Sequence, residues 1–301
     1  MKNFTNEVVL EGKVQSHSLE VRTVANTESA NYGKEYIAGK LYITTDDAGL
    51  NTVPITYRYV APTFKSGKAN STFTNLKKII DEWSEDKTMY VRATKVSGSL
   101  NEYYPNGSDE LVSIQINEGG FCQVVTNLHD EKERNRFTFD VLINNINVVE
   151  PEEEGAERYA EINCLIFNYA KEGLKYTLVA KDEAVIDFFE DLEVSPKEPV
   201  LTKVWGKIVN SVIKKQKTSE NSFGEEAVDV STRYIREWVI TGGNATPYEF
   251  DSEETITRAE LTKVLADRNV KLAEEKARRD ERVANANAAS VGEITEAPFK
   301  F

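Results

Sequence analysis

The sequence predicts a mainly β protein built from two small barrels in tandem, and three observations lead to that prediction. Apolar and polar residues alternate over short stretches along most of the chain, which is the period of β-strands. One amphipathic helical stripe interrupts the strands in each half, beginning at Leu76 and again at Val185. The order of strand, strand, strand, helix, strand, strand therefore occurs twice, and it is the order of the five-stranded OB-fold.

Composition bounds the class of protein and the partners it can have. The chain has 301 residues, of which 40% are hydrophobic and 29% charged, which is typical of soluble domains with real cores. The net charge of −13 argues against indiscriminate nucleic-acid binding. Residues 1–130 carry 13 basic and 16 acidic residues, however, so a local basic groove remains possible there. The N-terminal residues lack an apolar signal core, and Cys122 and Cys164 fit a reducing environment, so we expect a cytoplasmic protein.

The repeat sets the predicted domain boundaries. We assign residues 1–130 to the first OB-fold, 131–246 to the second, and 247–301 to a C-terminal helix with a flexible tail. The stretch Thr94–Gly98 corresponds to Thr202–Gly206, which gives the repeat local support in sequence.

In the first half, Asn6–Val14 opens as a strand, and Gly12 inside it is typical of a bend at a barrel corner. A hairpin from Tyr36 to Val60 follows, then a helix capped by Ser71, Thr72 or Thr74. The remaining predicted elements are a strand over Met89–Ser97, a loop over Asn101–Gly107 and a strand over Leu111–Ile116.

The second half is predicted in the same way. Its elements are strands over Phe137–Val149, Tyr159–Tyr169 and Leu174–Ala180, a helix capped by Asp182, strands over Leu201–Ser211 and Tyr234–Thr241, and a basic loop over Lys214–Lys217. Beyond residue 246, Thr257–Glu260 fits a capping box that opens a helix, and Ala284–Ser290 has the composition of a linker.

The stretch Tyr36–Thr45 is the strongest candidate for a binding surface. Strand alternation places Ile37, Leu41 and Ile43 on a core face, and leaves Tyr36, Lys40 and Tyr42 on the other. Aromatic rings beside a cation are how proteins hold an unpaired nucleic-acid strand. The alternative is an ordinary sheet whose tyrosines are half buried.

In the second half, Trp205 alternates onto one face with Lys203 and Lys207, opposite Val204 and Ile208. We predict that Trp205 stacks on a base; if it is instead buried under the C-terminal helix, the site moves to Tyr159, Phe167 and Tyr169. The full set of predicted single-stranded-DNA contacts is Tyr36, Lys40, Tyr42, Tyr57, Arg58, Tyr59, Lys65, Lys68, Tyr103, Tyr104, Lys203, Trp205, Lys207, Lys214, Lys215 and Lys217.

The sequence carries none of the common signatures of catalysis. The chain has no nucleophile elbow, no phosphate-binding glycine loop and no dinucleotide fingerprint. His17 and His129 are its two histidines, too few for a multi-histidine metal site. We therefore predict a protein that is not an enzyme, with no cofactor and no bound metal.

The segment Val8–Val14, Val-Val-Leu-Glu-Gly-Lys-Val, resembles the opening strand of bacterial single-stranded-DNA-binding proteins, and the tandem arrangement resembles bacteriophage members of that family. The resemblance implies sequence-tolerant binding and protection of single-stranded DNA in phage replication, recombination or repair, in the host cytoplasm. The family ends in a Pro-Phe tip that recruits replication and repair proteins, and Pro298, Phe299 and Phe301 stand at that place here. The alternative from another class is a structural or protein-interaction module, such as a virion component.

Overall fold

The computed structural model describes residues 2–151, 157–219 and 227–291, with side chains described except over 211–234 and 286–291. The elements are β1 Asn6–His17, β2 Glu20–Thr23, β3 Glu35–Thr44, β4 Thr52–Val60, α1 Ser71–Glu82, β5 Tyr90–Tyr103, β6 Val112–Glu118, β7 Phe121–Val125, β8 Asn135–Val149, β9 Tyr159–Phe167, β10 Gly173–Ala180, α2 Glu183–Glu190, β11 Val200–Ser219, β12 Ala227–Gly243 and α3 Arg258–Val291. The mainly β class is confirmed. None of the described helices combines the length and apolar character that crossing a membrane requires.

In the first half, five strands pair into a closed ring. Strand β1 pairs with both β3 and β5, β3 pairs with β4, β4 runs parallel to β6, and β6 pairs with β5. A side chain at Gly12 would place its Cβ about 1.9 Å from the Thr44 carbonyl oxygen. Because only glycine allows that approach, Gly12 lets β1 bend between its two partners.

The second half repeats the same ring. Strand β8 pairs with β9 and β11, β9 with β10, β10 runs parallel to β12, and β12 pairs with β11. In each half the helix lies between the third and fourth strands of the ring, as the sequence predicts.

The two rings are joined by paired strands and by a shared core. Residues Asn6–Leu10 of β1 pair antiparallel with Asn135–Phe139 of β8, so the sheet continues from one barrel to the other. The Tyr176 hydroxyl, from β10, donates to the carbonyl of Ile116 in the first barrel at 3.1 Å. One contiguous hydrophobic cluster spans both halves. The boundary near residue 130 stays a prediction about domains.

Helix starts are mostly where the sequence places them. The Asp182 side chain accepts from the Ala184 amide, and Thr257 and Glu260 form the predicted capping box. The predicted caps of α1 are wrong, because Asn70 takes that position and accepts from the Thr72 amide at 3.1 Å.

Three predicted loops are regular structure. The expected linker over Ala284–Ser290 continues α3 to Val291, because alanine favours helix and no glycine or proline occurs before Gly292. Strand β5 continues to Tyr103, into the predicted loop. Strand β11 continues to Ser219 through the expected basic loop, because it keeps pairing with β12.

Candidate nucleic-acid interface

Strand β3 presents two chemically different faces. Ile37, Leu41 and Ile43 are fully buried in the core of the first barrel. On the opposite face, Tyr36 and Tyr42 are half-buried and Lys40 is exposed. With a rise of about 3.3 Å per residue, Tyr36 and Tyr42 lie about 20 Å apart along the strand. The first barrel therefore carries an aromatic face long enough for several nucleotides.

At one end of that face, two tyrosines already stack on each other. The rings of Tyr36 in β3 and Tyr59 in β4 lie 4.8 Å apart between centroids, with planes 26° apart. Tyr59 is 47% exposed, so a large part of the pair remains open to solvent. A rigid exposed ring pair of this kind is a platform on which a base can stack.

Tyr57 is a correction to the predicted contacts. Its side chain is 1% exposed in the core, and burial raises the pKa of its hydroxyl well above the usual value. The cause is a register shift: β3 pairs Gly39 with Tyr57 but Ile37 with Val60, so β4 has one extra residue there. Such a bulge reverses the alternation, which turns Tyr57 inward while Tyr59 points outward.

The basic residues near this face differ in whether they are already paired. Arg58 is exposed and forms an ion pair with Glu118, with Nε 2.9 Å from the carboxylate. Lys65 and Lys68 are exposed in a turn that the Phe64 amide closes by donating to the Lys68 carbonyl at 2.8 Å. Within the described residues, neither lysine forms an ion pair, so both are available to a phosphate.

Tyr103 and Tyr104 stand at the end of β5, beside helix α3. Tyr103 is 45% exposed, whereas Tyr104 is half-buried under the Arg279 guanidinium, 5.8 Å from the ring centroid. Arg279 also donates to Asp109 at 3.1 Å. Helix α3 therefore occupies the outer side of Tyr104 and leaves Tyr103 open.

In the second barrel, β11 has the predicted orientation. Val204 and Ile208 are buried, while Trp205 is 38% exposed on the opposite face, with its indole packed over Gly242. Lys207 is exposed without an ion pair among the described residues. The Lys203 ammonium lies 3.7 Å from the buried Asp140 carboxylate, so this lysine is partly neutralised.

For two groups of predicted contact residues, the structure describes only the backbone or nothing at all. The backbone of Lys214, Lys215 and Lys217 pairs within the β11–β12 hairpin, but their side chains lie outside the described part. The predicted tail contacts Pro298, Phe299 and Phe301 lie outside the described residues altogether.

The open face of the first barrel ends at a cleft against the second barrel, which sequence reasoning missed. Its walls are formed on one side by Lys40, Tyr42, Val53, Pro54, Thr56, Gln115, Ile116 and Asn117, and on the other by Ile208, Asn210, Arg236 and Trp238. Lys40 and Arg236 are exposed, come from opposite walls and form no ion pair within the described residues. No linear signal joins these residues, because β3, β6 and β12 meet only through folding.

Amide side chains hold the two walls of the cleft in a fixed relation. Asn51 donates to the Ile208 carbonyl at 2.9 Å and accepts from the Asn210 amide at 2.8 Å. Asn135 makes the same two-way contact with Ile208, at 2.7 and 3.0 Å. Asn51 thus satisfies one donor and one acceptor of β11 across the junction, whereas Asn135, on β8, does so within the second barrel. Together these contacts order the cleft before any ligand binds.

Comparison with known proteins places the chain in a family. A family model described as YorF matches residues 5–278. The chain belongs to the YorF family. No curated protein matches this member of the YorF family.

Among solved structures, the chain is similar to the crystal structure of the single-stranded DNA binding protein from Thermus aquaticus. The identity is 11% and the TM-score 0.48, over 82% of this chain and 96% of that one. A deletion mutant of the same Thermus protein gives 12% identity and a TM-score of 0.48, over 84% and 100%. A replication protein A heterotrimer bound to single-stranded DNA gives 10% identity and a TM-score of 0.21, over 77% and 49%.

Proposed function

We propose that this protein binds single-stranded DNA without sequence preference, along the outer face of β3 and β4 and into the junction cleft. The observation that carries the proposal is the stacked pair of Tyr36 and Tyr59, on the same face as Lys40, whose ammonium forms no ion pair with any described residue. Rings bind bases of any sequence because every base has a π-face, and cations bind the phosphates between them.

The overall charge of the protein restricts where a strand can bind. At −13, the molecule as a whole repels a polyanion, so binding requires a local surface free of carboxylates. None of the described residues that line the cleft is acidic. Acidic residues instead surround Arg158, which contacts Glu150, Glu183, Asp187 and Glu190.

We extend the proposal to the second barrel and to the biological role. Lys207 and Trp205 on β11 offer a second stacking position, and Lys214, Lys215 and Lys217 would contact phosphates. We also propose a role in bacteriophage replication, recombination or repair, in the host cytoplasm, with the C-terminal tip recruiting proteins of that process. The support for this role is the resemblance of the sequence to the phage proteins.

The direct test is a titration of fluorescent 30-mers of dT and rU at several salt concentrations. We expect log affinity for dT to fall with log salt at a slope of about −0.7 per phosphate contact. Tyr59→Ala should weaken binding by about 1–3 kcal/mol, as loss of a stacked ring does. Tyr169→Ala, at a fully exposed tyrosine of the β9–β10 turn, is the matched control.

Three results would each redirect the proposal. Absence of binding at low salt would remove it and favour the structural or interaction module. Tighter binding of rU than of dT would change the substrate to RNA. Equal losses in Tyr59→Ala and Tyr169→Ala would move the site away from the first barrel.

A further inference from the structure

Two residues that line the junction cleft each have a buried polar atom with no hydrogen-bond partner among the described residues. Asn117 is 3% exposed and Trp238 is 2% exposed, and both line the cleft. The Asn117 side-chain amine donates to the Pro54 carbonyl at 3.2 Å, but its Oδ1 is unpaired, and so is the Trp238 Nε1–H. Leaving a buried donor or acceptor unpaired destabilises a fold, so such atoms call for an explanation.

Other amide side chains near the junction have their hydrogen bonds satisfied, so unpaired polar atoms are not common there. The Gln115 side chain donates to the Thr177 carbonyl at 3.0 Å and accepts from the Thr177 amide at 3.4 Å. Asn51 and Asn135 each pair a donor and an acceptor with β11. Among the buried amides at this junction, the Asn117 acceptor is therefore the exception, and the Trp238 donor is the second buried polar atom of the cleft lining without a partner in the described residues.

The surroundings of these two atoms favour a nucleotide as their ligand. Lys40 and Arg236 line the cleft from opposite walls without ion pairs in the described structure, and the half-buried Tyr42 lines it as well. The enclosed volume is about 50 Å³, which admits the edge of a base but not a whole nucleotide. A base could therefore insert its edge while its sugar and phosphates stay at the two cations.

We propose, on the premise that the protein binds single-stranded DNA, that this cleft holds the hydrogen-bonding edge of one nucleobase. Asn117 Oδ1 accepts from an N–H of the base, and Trp238 Nε1–H donates to a carbonyl or ring nitrogen. The Watson–Crick edge of every base has both a donor and an acceptor, so the site tolerates any sequence while still requiring a base. Lys40 and Arg236 hold the phosphates on either side.

The test pairs protein variants with a modified oligonucleotide. The probes are a 30-mer of dT and the same 30-mer made of 3-methylthymidine, which keeps the ring and the phosphates but blocks the N–H of the edge. Asn117→Leu removes the acceptor, and Trp238→Phe removes the donor while keeping an aromatic ring. Thr202→Val is the matched control, because the Thr202 hydroxyl is also buried without a partner in the described part of the chain, but Thr202 does not line the cleft.

We expect both cleft variants to bind dT roughly threefold to tenfold more weakly than the native protein, the range of one hydrogen bond. The native protein should prefer dT over the methylated strand, and Asn117→Leu should lose most of that preference, since its side chain no longer accepts the N–H. Thr202→Val should behave like the native protein. The melting temperatures of the two cleft variants should fall, because Asn117→Leu also loses its hydrogen bond to the Pro54 carbonyl and Trp238→Phe removes buried ring atoms. Affinities are therefore compared at a temperature at which every variant is folded.

The outcomes separate this inference from the proposal on which it rests. If the cleft variants bind dT normally, or lose affinity for both strands equally, the cleft holds ordered water or only joins the barrels, and the inference is wrong while DNA binding stands. If the native protein binds neither strand, the proposed function itself fails. If Asn117→Leu unfolds, Trp238→Phe decides: unchanged dT affinity in the folded variant overturns the assignment.

Discussion

The second strands of the two barrels, β3 and β9, pair in the same way, but the outer face of β3 is open whereas that of β9 is covered. In the first barrel, the outer face of β3 presents Tyr36, Lys40 and Tyr42 to solvent or to the cleft. In the second barrel, the corresponding outer residues of β9 include Leu165 and Phe167, which are 3% and 2% exposed. The difference is helix α3, whose apolar residues pack on them. What covers a barrel therefore determines whether its outer face is open for the proposed nucleic-acid contacts, and the fold by itself does not.

Helix α3 closes one face of the second barrel and fixes it to the first. Leu261, Val264 and Leu265 pack on the cluster around Leu142 and Leu201. Further along the helix, Arg268 forms a partly buried ion pair with Glu102 of the first barrel, with Nη1 2.7 Å from the carboxylate. On β11, the residues just beyond Leu201 are not covered by α3, and Trp205 there is 38% exposed.

The largest expected effect on stability is that of a substitution at Phe167. Phe167→Ala should lower the free energy of unfolding by about 3–5 kcal/mol, because the ring is buried under α3 and stacks on Phe4 at 4.7 Å. Tyr59→Ala, on the open face, should change it by less than about 1 kcal/mol. Urea denaturation measures both. Similar losses in the two variants would show that the faces do not differ as described.

Glu11 gives the next largest effect, and it concerns the stability of the first barrel. The carboxylate is 1% exposed and accepts from Arg92 Nε at 2.7 Å and from the His129 amide at 2.7 Å. Burial raises its pKa, but these hydrogen bonds more than offset that effect and lower the pKa to about 2. Because the folded pKa lies below the unfolded value, the stabilisation is present above about pH 4.5 and is lost as the pH falls towards 2.

Glu11→Gln should therefore lower the free energy of unfolding at pH 7 by about 2–3 kcal/mol and flatten its dependence on pH between 4.5 and 2. Chemical denaturation at a series of pH values measures this. Glu20→Gln is the control, since Glu20 is an exposed residue paired with Arg22 on the surface. An unchanged pH profile in Glu11→Gln would assign the acid sensitivity to other carboxylates.

The fold was predictable from the sequence because its signals are local. The alternation over Tyr36–Thr45, the cap at Asp182 and the capping box at Thr257 each act within a few residues. The contrast between the faces was also present locally: the unbroken apolar run Cys164–Phe167 is typical of a strand buried on both sides, whereas β3 alternates.

The parts that could not be predicted depend on pairing between distant segments. The orientation of Tyr57 follows from a bulge that appears only when β4 is paired with β3. The junction cleft brings Asn117 and Trp238 together through the parallel pairing of β4 with β6 and of β10 with β12. The periodicity of one segment does not show which distant segment it will lie beside, so Arg236 and Asn117 were absent from the predicted contacts.

A substitution at Trp205 tests whether the second barrel contributes to DNA binding. Trp205→Ala should weaken binding of dT by about 1–3 kcal/mol, the value of one stacked base, while the melting temperature falls only slightly because the indole is partly exposed. Trp205→Phe should keep most of the affinity. Fluorescence anisotropy and thermal melting measure the two quantities separately. A large fall in melting temperature with normal affinity in the folded fraction would make Trp205 a core residue, and would leave the first barrel as the DNA site.

The smallest expected effect concerns the C-terminal end. Arg279 still contacts the first barrel, but beyond it no described side chain of α3, up to Asn285, bonds to either barrel. The helix continues to Val291, about 18 Å further along its axis.

A chain that stops after Gly292 therefore keeps every contact of α3 with the barrels, and it loses the carboxylates of Glu293 and Glu296. Its affinity for dT should equal that of the full chain or exceed it slightly at low salt, where those charges repel a strand most. Parallel titrations at low and high salt measure this, with Arg279→Ala in the full chain to show the effect of loosening α3 itself. A marked loss of affinity in the shortened chain alone would assign the last nine residues to the DNA site or to assembly of the protein.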